Sequence, residues 1–97
     1  MKITWSEQSL RDLRAIRDFI ARDSEHYARV QIERLVSRVE RTAAMPSMGH
    51  PVHEFIDSGL REIHESGYRI VYGTQDEEFQ VVTIIHMRQR MPPHRLL

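Results

Sequence analysis

Apolar residues recur along the first half of the chain at intervals of three and four. Leu10, Leu13, Ile16, Phe19 and Ile20 draw one stripe, and Ala28, Ile32, Leu35, Val39 and Ala43 draw a second, flanked by Tyr27 and Val36. That spacing puts side chains on one helical face, so the pattern predicts two amphipathic helices. Arg11, Asp12, Arg14, Arg17 and Asp18 fill the remaining arc of the first. Ser6 followed by Glu7 offers an N-cap and an acid for the first turn, and Ser24 after Asp23 offers a second cap. The first helix should end near Arg22. The second must stop before Met45-Pro46, because the residue preceding a proline is pushed out of the helical region. The break at Asp23-Ser24 is too short for anything but an antiparallel helical hairpin.

Elsewhere the period is two. Lys2 to Trp5 reads as a short strand with Ile3 and Trp5 on one face, and Pro46-Ser-Met-Gly49-His-Pro51 as a turn-rich connector. Leu60 to Tyr72 reads as two strands joined by a tight turn at Ser66-Gly67. In the second arm Tyr68, Ile70 and Tyr72 point one way, Arg69 and Val71 the other. After a polar turn at Thr74 to Glu78, a last strand over Phe79 to Arg88 places Val82, Ile84, His86 and Arg88 on one face. Val81, Thr83, Ile85 and Met87 take the other. Both faces are apolar along most of its length, which predicts a central strand covered on both sides. Met91-Pro92-Pro93 ends it, leaving a loose tail or a last helical turn. The expected fold class is α+β: an N-terminal strand, a helical hairpin, then a three-stranded antiparallel meander, with the helices on one face. Arg69, His86 and Arg88 are expected to line the other, partly open face.

Composition narrows the class. At 97 residues the chain is expected to be a single domain spanning 1–97 with one core. The absence of cysteine excludes disulfides and thiolate metal sites. No segment is apolar enough for a signal peptide or a membrane span, so no membrane contact and a cytoplasmic location are expected. Fourteen basic and fourteen acidic residues cancel, which gives no general signature of nucleic-acid binding. The kind of charge says more: thirteen of the basic residues are arginine, which grips carboxylates and phosphates bidentately. From His86 to the C-terminus there are three arginines and no acid.

Arg69 shares a strand face with Val71, and a charge there needs a partner, such as Glu62, or a job. His86 and Arg88 lie two apart on one strand. Arg69, Arg88, His86 and Glu54 together suit RNA cleavage through the 2′-hydroxyl, with imidazole or carboxylate moving protons and guanidinium holding charge on the phosphate. No cofactor and no metal are required. His50-Pro-Val-His53-Glu54 looks like a zinc motif, but Pro51 argues against the helix that would put both histidines on one face. The helical hairpin is too evenly charged and too apolar on its inner face to be a groove-reading helix-turn-helix.

With these residues in view, the chain resembles the RelE/ParE superfamily of toxins from bacterial type II toxin–antitoxin systems. The resemblance covers nearly the whole chain. It rests on Trp5, on Asp12-Leu13 with Ile16, and on Pro46-x-x-Gly49. It continues through Leu60-Arg61-Glu62, Gly67-Tyr-Arg-Ile-Val-Tyr72 and Ile85-His-Met-Arg88. It implies a small toxin made with a cognate antitoxin that wraps it. RelE-like members cut mRNA on the ribosome, whereas ParE-like members inhibit DNA gyrase and lack a nuclease site. Arg69 and Arg88 match arginines of the cleaving branch, and Glu54 and His86 lie near its acid–base positions. Against that branch, Glu62 stands where lysine is found and no tyrosine follows Arg88. The regular hairpin and the Pro-x-x-Gly connector also look ParE-like, and the zero net charge counts against the ribosome-acting branch, whose members tend to be basic. The expectation placed first is ribosome-dependent, metal-independent mRNA cleavage, with gyrase inhibition as the alternative. Arg61, Arg90 and Arg95 are candidate contacts to a partner or to nucleic acid. Arg29, Arg34 and Arg38, on the second helix, could meet an acidic antitoxin segment.

Overall fold

A computed structural model describes residues 1–96. The chain runs β1 (Lys2–Trp5), α1 (Glu7–Ala21), α2 (Glu25–Ala43), β2 (His50–Pro51), β3 (Arg61–Glu65), β4 (Tyr68–Gln75) and β5 (Glu78–His86). Short 3-10 turns occupy Pro46–Met48, His53–Ser58 and Pro93–Leu96. Of the two expected endings, a loose tail or a last helical turn, the Pro93–Leu96 segment takes the second; Leu97 lies outside the described residues. All five strands form one sheet in the order β1-β5-β4-β3-β2. β1 runs parallel to β5 and every other neighbouring pair is antiparallel, so β5 is indeed an inner strand.

Both helices begin where their caps are. Ser6 Oγ accepts from Ser9 N at 3.0 Å, and Ser24 Oγ accepts from Tyr27 N at 3.0 Å, each satisfying a donor that a helix start leaves unpaired. The hairpin lies across one face of the sheet. Ile16, Leu35, Val39 and Ala43 meet Ile63, Ile70, Tyr72, Phe79, Val81 and Ile84 there, with Ile3, Trp5 and Leu13 at the margin. Burying each such aliphatic side chain contributes about 1.5–3 kcal/mol. Phe19 and Leu10 depart from the expected stripe: they are 60% and 40% exposed. On the opposite face Val52, Val71, Ile85 and Met91 form a smaller cluster, joined by Phe55, Leu60, Val82 and Leu96.

Two hairpins set the register. Ser66 (φ 53°) and Gly67 (φ 87°) turn β3 into β4, and Asp76 (φ 51°) and Glu77 (φ 65°) turn β4 into β5. Positive φ at both central residues gives the twist that two-residue hairpin loops require. The second hairpin is tighter than the predicted turn. A bulge then breaks the alternation of β5: Val71 pairs with Thr83 and Tyr72 with Val81, leaving Val82 over. The spare Val82 carbonyl accepts from Ser6 Oγ at 2.6 Å, so the cap of α1 also holds the bulge. The bulge corrects the predicted faces, since Val81 now looks toward the helices together with Ile84. β5 also ends at His86, so Arg88 lies beyond the strand.

Candidate functional site

The polar residues of the sheet gather on the face away from the helices. β3 and β4 pair Glu62 with Val71 and His64 with Arg69, which makes Glu62 and Arg69 diagonal neighbours on that face. The His53–Ser58 turn carries Glu54 over them, anchored by fully buried Val52. Arg69, 7% exposed, is consumed by these two acids. Its Nη1 and Nη2 donate to Glu54 Oε2 and Oε1 at 2.8 and 2.7 Å, while Nε and Nη2 donate to Glu62 Oε2 at 3.0 and 2.5 Å. Nη1 also reaches the Gln89 carbonyl at 3.3 Å, and Met91 N donates to Glu54 Oε2 at 3.1 Å. The second acidic oxygen, Glu62 Oε1, faces His64 Nε2 at 2.9 Å and His50 Nε2 at 3.3 Å.

The electrostatics follow from these contacts. Hydrogen bonds from Arg69 hold the Glu54 carboxyl down at about 2 against the opposing effect of burial. Burial pushes Glu62 up, but the bonds from Arg69 and His64 together outweigh it and leave its pKa lowered. Glu54 and then Glu62 raise Arg69 in return. A shallow cleft of about 550 Å³ opens beside this cluster, lined by His53, Glu54, Glu62, His64, Arg69, Met87 and Arg90.

Of the residues expected to act together, Glu54 and Arg69 meet and the other two do not join them. His86 pairs with Tyr68 across β4 and β5, with ring centroids 5.7 Å apart, on the helix side of the sheet; Arg69 pairs with Ile85 on the other. The expectation that Arg69, His86 and Arg88 line one face is therefore corrected. Arg88 is exposed in the turn after β5, where its N–H donates to His86 Nδ1 at 3.2 Å. Arg90 stands exposed at the rim of the cleft. Arg61 donates to the Gly49 carbonyl at 2.6 Å, and Arg95 to Asp12 Oδ1 at 2.7 Å, so both are committed to contacts within the chain.

Tyr72 gives the Pro46-x-x-Gly49 segment its physical meaning. Its hydroxyl donates to the Pro46 carbonyl at 2.5 Å and accepts from Gly49 N at 3.0 Å, pinning the connector to the sheet. A Cβ on residue 49 would collide with that hydroxyl. The family model described as "ParE toxin of type II toxin-antitoxin system, parDE" matches residues 3–91. The chain belongs to this family of toxins. Among solved structures, it is similar to one titled "Chromosomal ParDE TA system from P. aeruginosa", at 19% identity and a TM-score of 0.77. The match covers 89% of this chain and 95% of that one, and it shows the shared fold. No curated protein matches by sequence.

This ParE-family chain thus carries a buried ionic cluster, of which the sequence pointed to Arg69 with Glu62 as partner. His64 was missed, and His50 was weighed only within the His50-x-x-His53 motif. The signal for His64 was its two-residue spacing from Glu62, which places both on the Arg69 face once the register is known; His50 joins through its pairing with Glu62. Asp12 was quoted only as part of a helix motif, yet it is 7% exposed and accepts from Thr83 Oγ1, Ile84 N, Gln8 Nε2 and Arg95 Nη1.

Proposed function

We propose that this ParE-family toxin acts by binding and inhibiting DNA gyrase, without a nuclease step, and that a cognate antitoxin restrains it. The observation that carries this reading is the closure of Arg69 by Glu54 and Glu62, with His86 on the opposite face of the sheet. A guanidinium already saturated by two carboxylates has no free fork for a scissile phosphate. A proton carrier separated from it by the sheet cannot share a reacting group with it. The family assignment supports the same direction. In this reading the exposed Arg88 and Arg90 offer the basic surface for the topoisomerase. In the same reading the antitoxin's acidic segment lies along α2, where Arg29 and Arg34 are exposed and Arg38 is partly exposed.

The test is macromolecular synthesis after induction, following labelled thymidine and labelled methionine in parallel, with a supercoiling assay on purified gyrase. An early fall in thymidine incorporation, inhibited supercoiling and undiminished toxicity of His86→Ala are expected. An early fall in methionine incorporation with mRNA cut on the ribosome would overturn the proposal and return Arg69, Arg88, His86 and Glu54 to catalytic roles.

A further inference from the structure

The cluster around Arg69 is short of positive charge. Glu54 and Glu62 bring two carboxylates against one guanidinium, and Glu62 is 4% exposed. Buried charge is tolerated when it is paired or coordinates a metal. Arg69 occupies Oε2 of Glu62, and Oε1 is left to two imidazole nitrogens. We propose that His50, Glu62 and His64 form a binding site for a single divalent transition-metal ion of the zinc class.

Four observations support the site. The donors are two imidazole nitrogens and one carboxylate oxygen, a set that suits zinc and its neighbours and is poor for calcium or magnesium, which take oxygen ligands. The spacing fits: ligands about 2.0–2.2 Å from a tetrahedral zinc lie roughly 3.3–3.5 Å from one another. Glu62 Oε1 is already 3.3 Å from His50 Nε2 and 2.9 Å from His64 Nε2, and all three ligand atoms fall within 4.8 Å of each other. Small rotations of two exposed rings, now edge to face at 87° with centroids 5.1 Å apart, would admit the ion. The backbone holds the set, because His50 pairs with Glu62 across β2 and β3 and His64 stands two residues along the same strand face. Finally, the Arg69 bonds to Oε2 fix the orientation of the carboxylate, as the outer partners of metal ligands do.

The site is not the His50-x-x-His53 motif of the sequence, for His53 lies in the following 3-10 turn and takes no part. Its ligands are brought together only by strand pairing. The side chains of His50 and His64 are 58% and 39% exposed, so an ion enters from solvent. Three protein ligands leave a coordination position for water or for a side chain of a partner. Within the chain the ion would clip β2, a strand of two residues, to β3.

Zinc chloride titrated calorimetrically into the tag-free full chain tests this, alongside His50→Gln, His64→Gln, the double variant and His26→Gln. The last changes an exposed histidine on α2. Circular dichroism checks that each variant is folded, the outcome that the exposure of all three residues favours. One equivalent of zinc is expected to bind and to raise the melting temperature. Each of the two ligand substitutions should weaken binding by about tenfold or more, and His26→Gln should leave it unchanged. Cobalt(II) should give visible d–d bands that the double variant lacks. Failure of the wild-type chain to bind zinc, or undiminished binding by the double variant, would overturn the site.

Discussion

Arg69 and Glu54 meet end to end, Nη1 on Oε2 at 2.8 Å and Nη2 on Oε1 at 2.7 Å, across a separation of fifteen residues. With Glu62 on the other side, the guanidinium is a structural cation that joins the His53–Ser58 turn to β3 and β4. Removing it alone should be costly, because two carboxylates would remain against each other. Arg69→Ala is expected to destabilise the chain by about 3–5 kcal/mol in urea unfolding. Replacing the set together, Arg69→Met with Glu54→Gln and Glu62→Gln, should recover most of that loss, since no uncompensated charge is left. Under the proposed function the triple variant also stays toxic. A triple variant no more stable than Arg69→Ala would show that the ionic pairing is not what the arginine supplies.

Glu54 makes part of this pairing dependent on pH. Its carboxyl is lowered from 4.5 to about 2 in the folded chain. A depressed folded pKa means stability that is present above about pH 4.5 and is lost as pH falls from there toward about 2. Because Glu54 is 24% exposed, the contribution is on the order of 2 kcal/mol rather than the full value of the shift. Unfolding free energies of wild type and Glu54→Gln should therefore differ at about pH 7 and converge as pH falls through that window. Curves that stay parallel to the acid end of it would contradict the assignment.

Tyr72 and Gly49 give a second, separable test. Tyr72→Phe keeps the ring that stacks on Phe79 at 4.4 Å but leaves Gly49 N and the Pro46 carbonyl without their partner. The expected cost is about 1–3 kcal/mol. Gly49→Ala should cost at least as much, because its Cβ meets the hydroxyl and the Glu62 carbonyl together. The double variant should be less destabilised than the sum of the two, because Tyr72→Phe deletes the hydroxyl oxygen that the new methyl group of Gly49→Ala strikes. Strict additivity in chemical denaturation would argue that the two residues do not interact.

Much of this architecture was legible because local signals agreed with the packing. Ser6 and Ser24 cap the helices they announce, the α2 stripe from Ala28 to Ala43 is the one that is buried, and Ser66-Gly67 turns the hairpin it predicts. The site was less legible for two physical reasons. The bulge at Val82 moves Val81 to the helix face beside Ile84, and a strand apolar on both sides gives no hint of where alternation slips. The face of His86 relative to Arg69 is fixed by pairing across β4 and β5, a relation that spacing within one strand does not contain. His50 joined the cluster only because two residues of the connector pair with β3, and a strand that short has no period to read.

Asp12 ties α1 to β5 and to the C-terminal turn. It lies in α1, yet its carboxylate accepts from Thr83 Oγ1 at 2.5 Å and from the backbone N–H of Ile84 at 2.9 Å. It also holds Arg95 in the C-terminal 3-10 turn at 2.7 Å. One buried side chain therefore joins the first helix, the inner strand and the end of the described chain. Asp12→Ala leaves two buried donors and a half-buried guanidinium without an acceptor and should cost about 3–5 kcal/mol. Arg95→Ala removes only the last link, so a smaller loss of about 1 kcal/mol is expected, with faster hydrogen exchange confined to the 3-10 turn at Pro93–Leu96. If the basic C-terminal segment contacts gyrase as an ordered surface, Arg95→Ala should weaken inhibition of supercoiling more than it weakens the fold. Inhibition that falls only in step with stability would place Arg95 outside the contact and leave Arg88 and Arg90 as the residues to test.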